Sequence, residues 1–510
     1  MSAVVKNIFL FFLLKSMTVN AQSSFQLNVA RLQIPGDFAQ TSDHGYIIGG
    51  NMFDTASGNL DVYALVKIDS LGNEQWSALY HDFGHDSYIT SLFQDSNGNY
   101  IFSGRPDGTV INECVMTKVN SSGNLLWSRN FSIPGYHSDI ASHCLETNDG
   151  KYAMAMNQYY GGSYYVSLIK LETNGNILWE KNFSDSINYI ARCNWIAQTT
   201  DHGFIITGEA YGQYCYLLRT DSTGNPLWCK IYSLSFSNNP GTCVKQTLDG
   251  GYIITTSNFL TGGGYANIIK TDSVGQIQWT KTLSGSEYHF LFSVEQTADS
   301  NFVFAGGVGD YNSISQKLLI VKMDQVGDTL WTKTYQSGGN FNLTGLKINE
   351  TEDRGLLVLN QIFIAAQIMK TDQNGNLNCG QSYSTTLITQ YTSQANDAIL
   401  TVDSTLGQTN KSLNRQPYPP SSNISCLSLG SENDLDIQIN ISLFPNPATE
   451  KIAISCSVQI QAIRIYNSLG VLLIKIKYES EINISNLSPG IYFISIQTKE
   501  RELFRKLIKE

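Results

Sequence analysis

The sequence predicts an all-β protein, a seven-bladed β-propeller of four-stranded repeats followed by a linker and a small immunoglobulin-like β-sandwich. One motif returns seven times at intervals of 48 to 52 residues, which is typical of a propeller. Glycine (42 residues), tyrosine (27) and phenylalanine (23) are frequent while charged residues make up 15%, a composition that favours strands joined by tight turns. The net charge of -10 argues against nonspecific binding to phosphates, so we expect no nucleic-acid partner.

Residues 1–21 carry the pattern of a secretory signal peptide. A basic residue precedes the apolar run Ile8 to Leu14, and the small residues Val19 and Ala21 prepare a cut ahead of Gln22. The run is far shorter than the roughly 20 residues that a membrane-spanning helix needs. No later stretch is long enough either, so we expect no transmembrane span.

The cysteines indicate neither a zinc site nor a defined disulfide framework. Export permits disulfides, but nine is an odd count, and no CxxC pair or recurring Cys/His spacing occurs. We therefore interpret the cysteines mostly as buried free thiols in strands, and the sequence leaves their pairing open.

The repeats occupy residues 22–380 and share the motif Asp-x-x-Gly-Asn-x-x-Trp. Six of the seven tryptophans stand at its last position, where the seventh copy has Cys379. Apolar strands ending in Lys or Arg precede the copies, and a second turn and strand, such as those starting at Asp43, lie further upstream. The copies are Asp69 to Trp76, Asn120 to Trp127, Glu172 to Trp179, Asp221 to Trp228, Asp272 to Trp279, Asp324 to Trp331 and Asp372 to Cys379.

Each unit supplies four short strands and is interpreted as an antiparallel blade. Such a sheet has two apolar faces and cannot stand alone, so we expect seven of them to close in a ring. The recurrent tryptophan would pack between neighbouring blades. The segment Gln26 to Ile34 lies where an outer strand should precede the first copy, so we expect it to complete the seventh blade.

The motif turn could also indicate a calcium site, because carboxylate and amide oxygens are the ligands that calcium prefers. Each turn offers only one or two such oxygens, so we interpret it as a left-handed hairpin turn and expect no metal or cofactor. His44 and His202 occupy equivalent positions and are interpreted as turn residues. The motif also resembles the tryptophan-docking repeat of quinoprotein dehydrogenase propellers, but it is one residue shorter and lacks their Thr-Gly pair, so the quinone cofactor is not carried over.

We expect a ligand on the propeller face formed by the loops between second and third strands, because these loops vary while the turns on the other face are short and uniform. Tyrosines cluster there in the third and fourth units, and a tyrosine offers a flat apolar face with a polar tip, suited to sugar rings or extended peptides. The alternative is that they are ordinary strand residues. The tyrosines are Tyr159, Tyr160, Tyr164, Tyr165, Tyr211 and Tyr214.

A polar set in the crossings between units could form a metal or acid–base site near the channel mouth. Its members belong to the first, second and fifth units and need not converge, so we assign no catalytic or metal-binding residue. The set comprises Asp82, His85, His143 and Glu287 together with the candidate ligand-binding members His81, Asp86, His137, Asp139 and His289.

After the last repeat the composition changes. Residues 381–439 are rich in Ser, Thr, Asn and Gln and predict a semi-extended linker that could add a few strands packed on the propeller. Residues 440–510 return to alternating strands with turns at Asn467 to Gly470 and Ser488 to Gly490, which predicts the small β-sandwich.

Four blocks mark this last segment, namely Leu443 to Ala448, Ile465 to Gly470, Ile484 to Tyr492 and the basic ending Arg505 to Glu510. As a set they resemble the C-terminal sorting domain of proteins exported by the bacterial type IX secretion system. The resemblance implies passage through the periplasm, delivery across the outer membrane by the type IX machinery, removal of the module, and surface attachment or release. The residues that carry it include Pro445, Asn446, Pro447, Gly470, Gly490, Tyr492 and Lys506.

These observations predict a secreted or cell-surface binding or adhesion scaffold for a glycan or protein ligand. The alternative is a secreted polysaccharide hydrolase or lyase that uses acidic and histidine side chains at the channel mouth. Paired carboxylates contributed by different blades leave no linear signature, so the sequence does not separate the two.

Overall fold

The fold is known from a computed structural model of the chain. It describes residues 23–29, 32–54, 60–81, 86–107, 114–132, 140–160, 163–184, 190–211, 214–233, 239–257, 264–285, 287–309, 316–335, 345–362, 365–377, 381–383, 387–390, 394–397, 401–403, 407–410, 414–417, 422–429, 441–445, 447–456, 459–467, 472–477, 481–498 and 502–509. The expected signal peptide and Cys379 lie outside the described residues.

The described residues form strands and turns without a helix, which confirms the all-β prediction. The first fourteen strands are β1 Ser23–Val29, β2 Ile34–Gln40, β3 Tyr46–Asp54, β4 Leu60–Ile68, β5 Glu74–His81, β6 Asp86–Gln94, β7 Tyr100–Asp107, β8 Cys114–Val119, β9 Leu125–Ser132, β10 Ile140–Glu146, β11 Tyr152–Tyr160, β12 Ser163–Leu171, β13 Ile177–Ser184 and β14 Ile190–Gln198. The next fourteen are β15 Phe204–Ala210, β16 Tyr214–Thr220, β17 Pro226–Ser233, β18 Gly241–Gln246, β19 Tyr252–Ser257, β20 Ala266–Thr271, β21 Ile277–Ser284, β22 Tyr288–Gln296, β23 Phe302–Gly309, β24 Lys317–Met323, β25 Thr329–Tyr335, β26 Gly345–Glu350, β27 Leu356–Ile362 and β28 Ala365–Thr371. The last are β29 Gln381–Tyr383, β30 Leu387–Gln390, β31 Gln394–Asp397, β32 Thr401–Asp403, β33 Gly407–Asn410, β34 Asn414–Pro417, β35 Ser422–Leu429, β36 Ile441–Phe444, β37 Lys451–Cys456, β38 Ile460–Asn467, β39 Leu472–Lys477, β40 Glu481–Asn483, β41 Gly490–Thr498 and β42 Glu502–Lys509.

Strands β1 to β28 build repeated four-stranded antiparallel sheets, as the sequence predicts. We number them in chain order as sheet 1 (β2–β5), sheet 2 (β6–β9), sheet 3 (β10–β13), sheet 4 (β14–β17), sheet 5 (β18–β21), sheet 6 (β22–β25) and sheet 7 (β26–β28 with β1). Within each sheet, strands that follow one another in the chain are neighbours, and in sheet 7 β28 pairs with β1.

The amino-terminal strand completes sheet 7. Strand β1 pairs antiparallel with β28, with Phe25 opposite Lys370. This confirms the expected closing strand, although it covers Ser23–Val29 and Ile34 already begins β2. The register gives Phe25 the position of the motif tryptophan, since Trp76 stands opposite Lys67 in sheet 1.

A fifth strand lies at the outer edge of every sheet and comes from residues 381–429, which we call the belt. Its strands β29 to β34 pair with β25, β21, β17, β13, β9 and β5 in that order, and β35 lies beside β1. The interpretation of these residues as a linker is therefore corrected. The outer strand of a sheet presents unpaired N–H and C=O groups, and the belt satisfies part of this edge in each sheet.

The motif turns have the expected left-handed geometry. Gly72 has φ +88°, and the Asp69 carboxylate accepts hydrogen bonds from the backbone N–H groups of Leu71 and Asn73. His44 and His202 also have positive φ, at 64° and 67°, which confirms that they are turn residues.

A second repeated contact joins the turn between the first two strands to the end of the third strand. In each sheet a buried Lys or Arg binds an Asp of that turn, at 2.5 to 2.8 Å. The pairs are Lys67–Asp43, Lys118–Asp95, Lys170–Asp149, Arg219–Asp201, Lys270–Asp249, Lys322–Asp299 and Lys370–Asp353. The basic residue that ends the third strand therefore has a structural role in every sheet.

The cysteines whose side chains are described are buried free thiols, which confirms that interpretation for them. Burial raises the pKa of the Cys144 thiol to about 11 and that of Cys215 to about 12, so both stay protonated at neutral pH. The six are Cys114, Cys144, Cys193, Cys215, Cys229 and Cys243.

Residues Leu429–Glu510 belong to a second compact unit. A three-stranded sheet of order β36-β37-β40 and a four-stranded sheet of order β39-β38-β41-β42 share one apolar core, in which Ile452, Ile463 and Ile494 are buried. Tyr492 donates its hydroxyl to Ser488 O at 2.7 Å, tying β41 to the turn before it.

Candidate functional site

Hydrogen bonds join each sheet to the next at or beside its first strand, and the succession closes from sheet 7 to sheet 1. A backbone group of one sheet meets a polar side chain of its neighbour in each case, so the sheets are held in a defined order. The bonds run from Leu92 N to Asp37 Oδ2 (2.7 Å), Cys144 N to Ser91 Oγ (3.2 Å), Cys193 N to Asn157 Oδ1 (2.5 Å), Asn194 Nδ2 to Gly241 O (2.7 Å), Leu291 N to Ser257 Oγ (2.7 Å), Ile348 N to Ser293 Oγ (3.2 Å) and Lys347 Nζ to Phe38 O (3.0 Å).

Two ion pairs lie on these first strands. Lys347 Nζ is 2.7 Å from Asp37 Oδ1 and joins sheet 7 to sheet 1, whereas Lys245 Nζ is 3.0 Å from Glu295 Oε2 and joins sheet 5 to sheet 6. Burial disfavours the charged form of Lys245, but the Glu295 carboxylate outweighs it and raises the pKa of the lysine. Lys245 therefore carries a full positive charge at neutral pH.

Two aromatic side chains meet next to Lys245. The rings of His143 in sheet 3 and Trp195 in sheet 4 stack with their centroids 3.9 Å apart, and Lys245 Nζ lies 5.8 Å from the centre of the Trp195 ring. Burial, and then the positive charges of Lys347 and Lys245, hold the pKa of His143 well below its usual value of 6.5. His143 is thus a neutral imidazole at physiological pH.

These residues line a cavity of about 490 Å³ at the ends of β10, β14 and β18. Its interior is mixed, with His143, Trp195 and Lys245 beside the apolar Leu145 and Ala197. The rim consists of the turns that follow these strands, where Leu248 is 78% exposed. A recess of this size that combines apolar surface with polar side chains has the volume of a small-ligand site.

The cavity opens at the end of the sheets where the short turns lie, whereas the sequence favours the end with variable loops. Much of those loops lies outside the described residues. Leu145, Ala197 and Lys245 occupy equivalent positions in sheets 3, 4 and 5, and all three line the cavity.

The tyrosines of sheet 3 lie at the opposite end of the sheet from the cavity. Tyr159 stands opposite Tyr164 and Tyr160 opposite Ser163, in the hairpin of β11 and β12. Tyr164 is 40% exposed, whereas Tyr165, opposite Gln158, is half-buried. This hairpin therefore offers at least one tyrosine ring to solvent.

The tyrosines of sheet 4 form a second pair. The rings of Tyr211 and Tyr214 meet edge to face with centroids 5.9 Å apart, and both pack partly buried against the core shared by sheets 3 and 4. Tyr211 has φ +56°, so the turn after β15 holds its backbone in the left-handed region. The main role of Tyr211 and Tyr214 is therefore to pack against this core.

The predicted histidine and aspartate set is spread over several sheets. His81 is buried at the end of β5, opposite the belt residue Asn414, Asp86 begins β6 in sheet 2, and His289 is buried in β22 of sheet 6. His137 and Asp139 lie outside the described residues. Within the described part of the chain, no group of three or more His, Cys, Asp or Glu is placed to hold a metal ion.

Trp195, the centre of the cavity, is absent from the candidates that the sequence analysis proposes. It is the one tryptophan outside the repeated motif, and that difference is a signal the sequence contains. His143 belongs to the polar set that the sequence analysis names, whereas Lys245 carries no such signal, and the two meet only when three sheets come together.

Comparison with known proteins assigns the C-terminal segment. Residues 442–510 match the family of the secretion system C-terminal sorting domain. This confirms the type IX sorting domain, so the protein is directed to the cell surface or the extracellular space. Among the described residues, no helix is long and apolar enough to cross a membrane.

Similar solved structures have low sequence identity to this chain. Sqt1 from Chaetomium thermophilum is 10% identical with a TM-score of 0.39, covering 67% of this chain and 97% of its own. A protein of unknown function from Dyadobacter fermentans is 7% identical with a TM-score of 0.38, covering 68% and 98%. PorZ, a surface component of the type-IX secretion system of Porphyromonas gingivalis, is 9% identical with a TM-score of 0.24, covering 96% and 100%. No curated protein matches the chain. At these values no functional argument rests on the likenesses.

Proposed function

We propose that this protein, whose residues 442–510 are a type IX secretion sorting domain, is a secreted cell-surface binding scaffold that holds a glycan or protein ligand in the cavity beside Trp195. The observation that carries the proposal is the cavity itself, a built recess in an otherwise repetitive framework. A scaffold made of repeated sheets needs no such asymmetry for its own stability.

The architecture that we propose is a seven-bladed β-propeller with one sheet per blade. The hydrogen bonds from each sheet to the next, closing from Lys347 to Phe38, support a ring. We place the belt with the propeller, so that this domain spans residues 23–428. For residues 440–510 we propose an immunoglobulin-like sandwich, supported by two sheets that share one core.

Nothing favours catalysis to the same degree. A hydrolase needs two carboxyl groups that face one substrate, one of them free to exchange a proton. Of the acidic residues on the first strands, Asp37 and Glu295 are each bound to a lysine, and Glu146 at the rim of the cavity accepts hydrogen bonds from Ser96. The polar set from the sequence analysis supplies no second pair in the described residues.

The exposed edge of the hairpin that carries Tyr159 and Tyr164 is proposed as a second contact surface for an extended ligand. It lies at the far end of sheet 3 from the cavity, so the two surfaces can be tested independently. Tyrosines with one exposed face are common in such contacts because they bury a large area with little loss of side-chain freedom.

The test is a binding screen of the full-length protein against a glycan and peptide panel, followed by isothermal titration with the best ligand. Trp195→Leu should weaken binding by about tenfold or more, since it removes a ring worth roughly 1.4 kcal/mol of contact. Tyr164→Ala serves as the matched control and should leave the affinity for a cavity ligand unchanged.

If Tyr164→Ala abolishes binding and Trp195→Leu does not, the ligand site belongs to the tyrosine hairpin. If neither substitution changed the affinity, the ligand would bind at neither of the two surfaces. Circular dichroism of each variant shows whether its fold is retained.

A further inference from the structure

The residues that line the cavity indicate the chemical class of its ligand, an inference that rests on the proposed function. We propose that the cavity beside Trp195 binds an acidic saccharide, with the carboxylate of a uronic acid residue directed toward Lys245. The proposal rests on the size of the recess, its aromatic floor and the N–H donors of Lys245.

The volume fits one or two sugar rings. About 490 Å³ falls within the range of roughly 300–1,000 Å³ found for small-molecule sites. The recess is open toward the turn side, where Thr200 and Asn148 line the rim. A longer chain could therefore leave the cavity through the rim without a clash against a closed wall.

The aromatic floor is pre-organised. Trp195 is held by the stacked His143 ring at 3.9 Å and by packing against the core between sheets 4, 5 and 6. It remains partly exposed to the cavity. A rigid indole offers a flat apolar surface to the C–H groups of a sugar ring at little entropic cost.

Lys245 is the cation among the residues that line the cavity, and Glu146 is the carboxylate. The backbone N–H and the hydroxyl of Ser96 donate to Glu146 at 2.8 and 2.7 Å, so this carboxylate already has partners. Lys245 Nζ is 3.0 Å from Glu295 Oε2 and retains N–H donors beyond the one that Glu295 accepts. A ligand carboxylate that reaches Lys245 would accept hydrogen bonds from these donors, and a neutral His143 adds no competing cation.

Repetition within the chain provides an internal comparison. At the position of Trp195 and His143, the first strands of sheets 2 and 6 carry Ser91 and Ser293, which hydrogen-bond to neighbouring sheets. Serine therefore satisfies the framework at this position. The two adjacent aromatic rings are a departure that the framework does not require.

Isothermal titration of the full-length protein with α-1,4-linked digalacturonate, its methyl ester and the neutral digalactoside tests the proposal without any variant. The acid should bind at least about tenfold more tightly than the two neutral forms, equivalent to roughly 1.4 kcal/mol. Raising the salt concentration should weaken binding of the acid but not that of the neutral sugars.

The double variant Lys245→Met with Glu295→Gln then removes the cation without leaving an unpaired carboxylate. It should lower the affinity for the acid to that of the neutral sugars. Lys281→Met, on the outer strand of the same sheet, is the matched control and should change nothing.

Equal affinity for acid and neutral sugars, lost in Trp195→Leu, would overturn the acidic-saccharide inference and leave the binding function intact. Preference for an acidic peptide over digalacturonate would also overturn it. Failure of every glycan and peptide to bind would reject the proposed function as well.

Discussion

Phe25 lies over Gly72 in the same way that Trp76 lies over Gly123. A Cβ atom added to Gly72 would stand 3.5 Å from Phe25 Cδ2, and one added to Gly123 would stand 2.9 Å from Trp76 Cζ3. The first contact joins sheet 7 to sheet 1 and the second joins sheet 1 to sheet 2. Phe25 of the amino-terminal strand thus takes the place of the motif tryptophan at the junction between sheet 7 and sheet 1.

Removal of the Phe25 ring should weaken the junction between sheet 7 and sheet 1. Phe25 is fully buried, and Phe25→Ala should lower the free energy of unfolding by about 3–5 kcal/mol through lost burial and the cavity left behind. Urea unfolding followed by intrinsic fluorescence measures the change. Phe53→Ala, at a position 41% exposed, is the control and should cost well under half as much. Equal losses for the two variants would show that the closing strand contributes no special stability.

Two glycines from different kinds of turn allow the stability cost of backbone strain to be measured apart from the cost of disturbed packing. Gly123 has φ +75° and Gly150 has φ +71°, but only Gly123 faces a neighbour, since nothing lies within 4 Å of a Cβ added to Gly150. Both Ala variants should lose about 1–2 kcal/mol to the left-handed backbone. Gly123→Ala should lose about 1–3 kcal/mol more because the methyl group displaces Trp76. Thermal unfolding of both variants checks this, and identical melting temperatures would contradict it.

The Lys–Asp pair of sheet 2 differs from the others in burial. The Asp95 side chain is 0% exposed and binds both Lys118 Nζ and the Tyr152 hydroxyl at 2.8 Å, whereas Asp43 of sheet 1 is 51% exposed. Asp95→Asn should therefore lower the free energy of unfolding by about 3 kcal/mol, because it leaves a buried ammonium without a counter-charge. Asp43→Asn should lower it by about 1 kcal/mol, since water reaches that carboxylate.

The same pair predicts acid sensitivity. Burial alone would raise the pKa of Asp95, but the hydrogen bonds from Lys118 and Tyr152 outweigh it and lower the pKa. A carboxyl group with a lowered pKa stabilises the fold above its unfolded value near 3.8, and this stabilisation is lost as the pH falls through the folded value. Wild-type stability should thus drop below about pH 4, and it should do so less steeply in Asp95→Asn. If the free energy of unfolding fell equally steeply with decreasing pH in the two proteins, this prediction would be wrong.

His143 predicts a separate pH effect at milder acidity. Its pKa is lowered in the folded protein, so below pH 6.5 the unfolded chain takes up a proton that the folded chain does not. The free energy of unfolding should fall by up to about 1.4 kcal/mol per pH unit from this one residue. Unfolding of His143→Gln between pH 7 and pH 5, roughly the range in which histidine titrates, should show a shallower slope.

His289, whose pKa burial also lowers, should account for part of the slope that remains in His143→Gln. A wild-type slope in His143→Gln would show that its neutral state does not couple to folding.

The repeated part of the fold follows from sequence because each turn is specified locally. Glycine at the left-handed position, as at Gly72, recurs in the motif turn of every sheet, and an Asp or Asn that bonds its own turn, such as Asp69, recurs in all of these turns except that of sheet 3, which has Glu172; together they set the register of the strands. Strand β1 could also be expected, because the segment Gln26 to Ile34 precedes the first copy at the place of an outer strand and can complete the last unit.

The belt could not be derived in the same way. Its strands are three to eight residues long and lack the repeated motif, and each finds its partner in a different sheet. Edge pairing of this kind depends on main-chain hydrogen bonds more than on side-chain pattern. Composition alone therefore resembles that of a linker.

The cavity depends on three sheets at once, which explains why motif analysis missed it. Trp195 is visible as the tryptophan without a place in the repeat, but its neighbours His143 and Lys245 stand about 50 residues away on either side, and their meeting follows only from the way in which sheets 3, 4 and 5 pack. The tyrosine and histidine hypotheses rest partly on loops outside the described residues and stay predictions.

The chain travels past the sheets twice, in opposite directions. It builds them from sheet 1 to sheet 7, and then the belt returns from sheet 6 to sheet 1 before β35 reaches sheet 7. Each boundary between neighbouring sheets is thus crossed by two covalent connections. A protease that cuts one crossing, such as the segment between β17 and β18, leaves the two halves tethered by the belt segment between β30 and β31. For a protein exposed outside the cell, the return path amounts to a built-in tolerance to nicking.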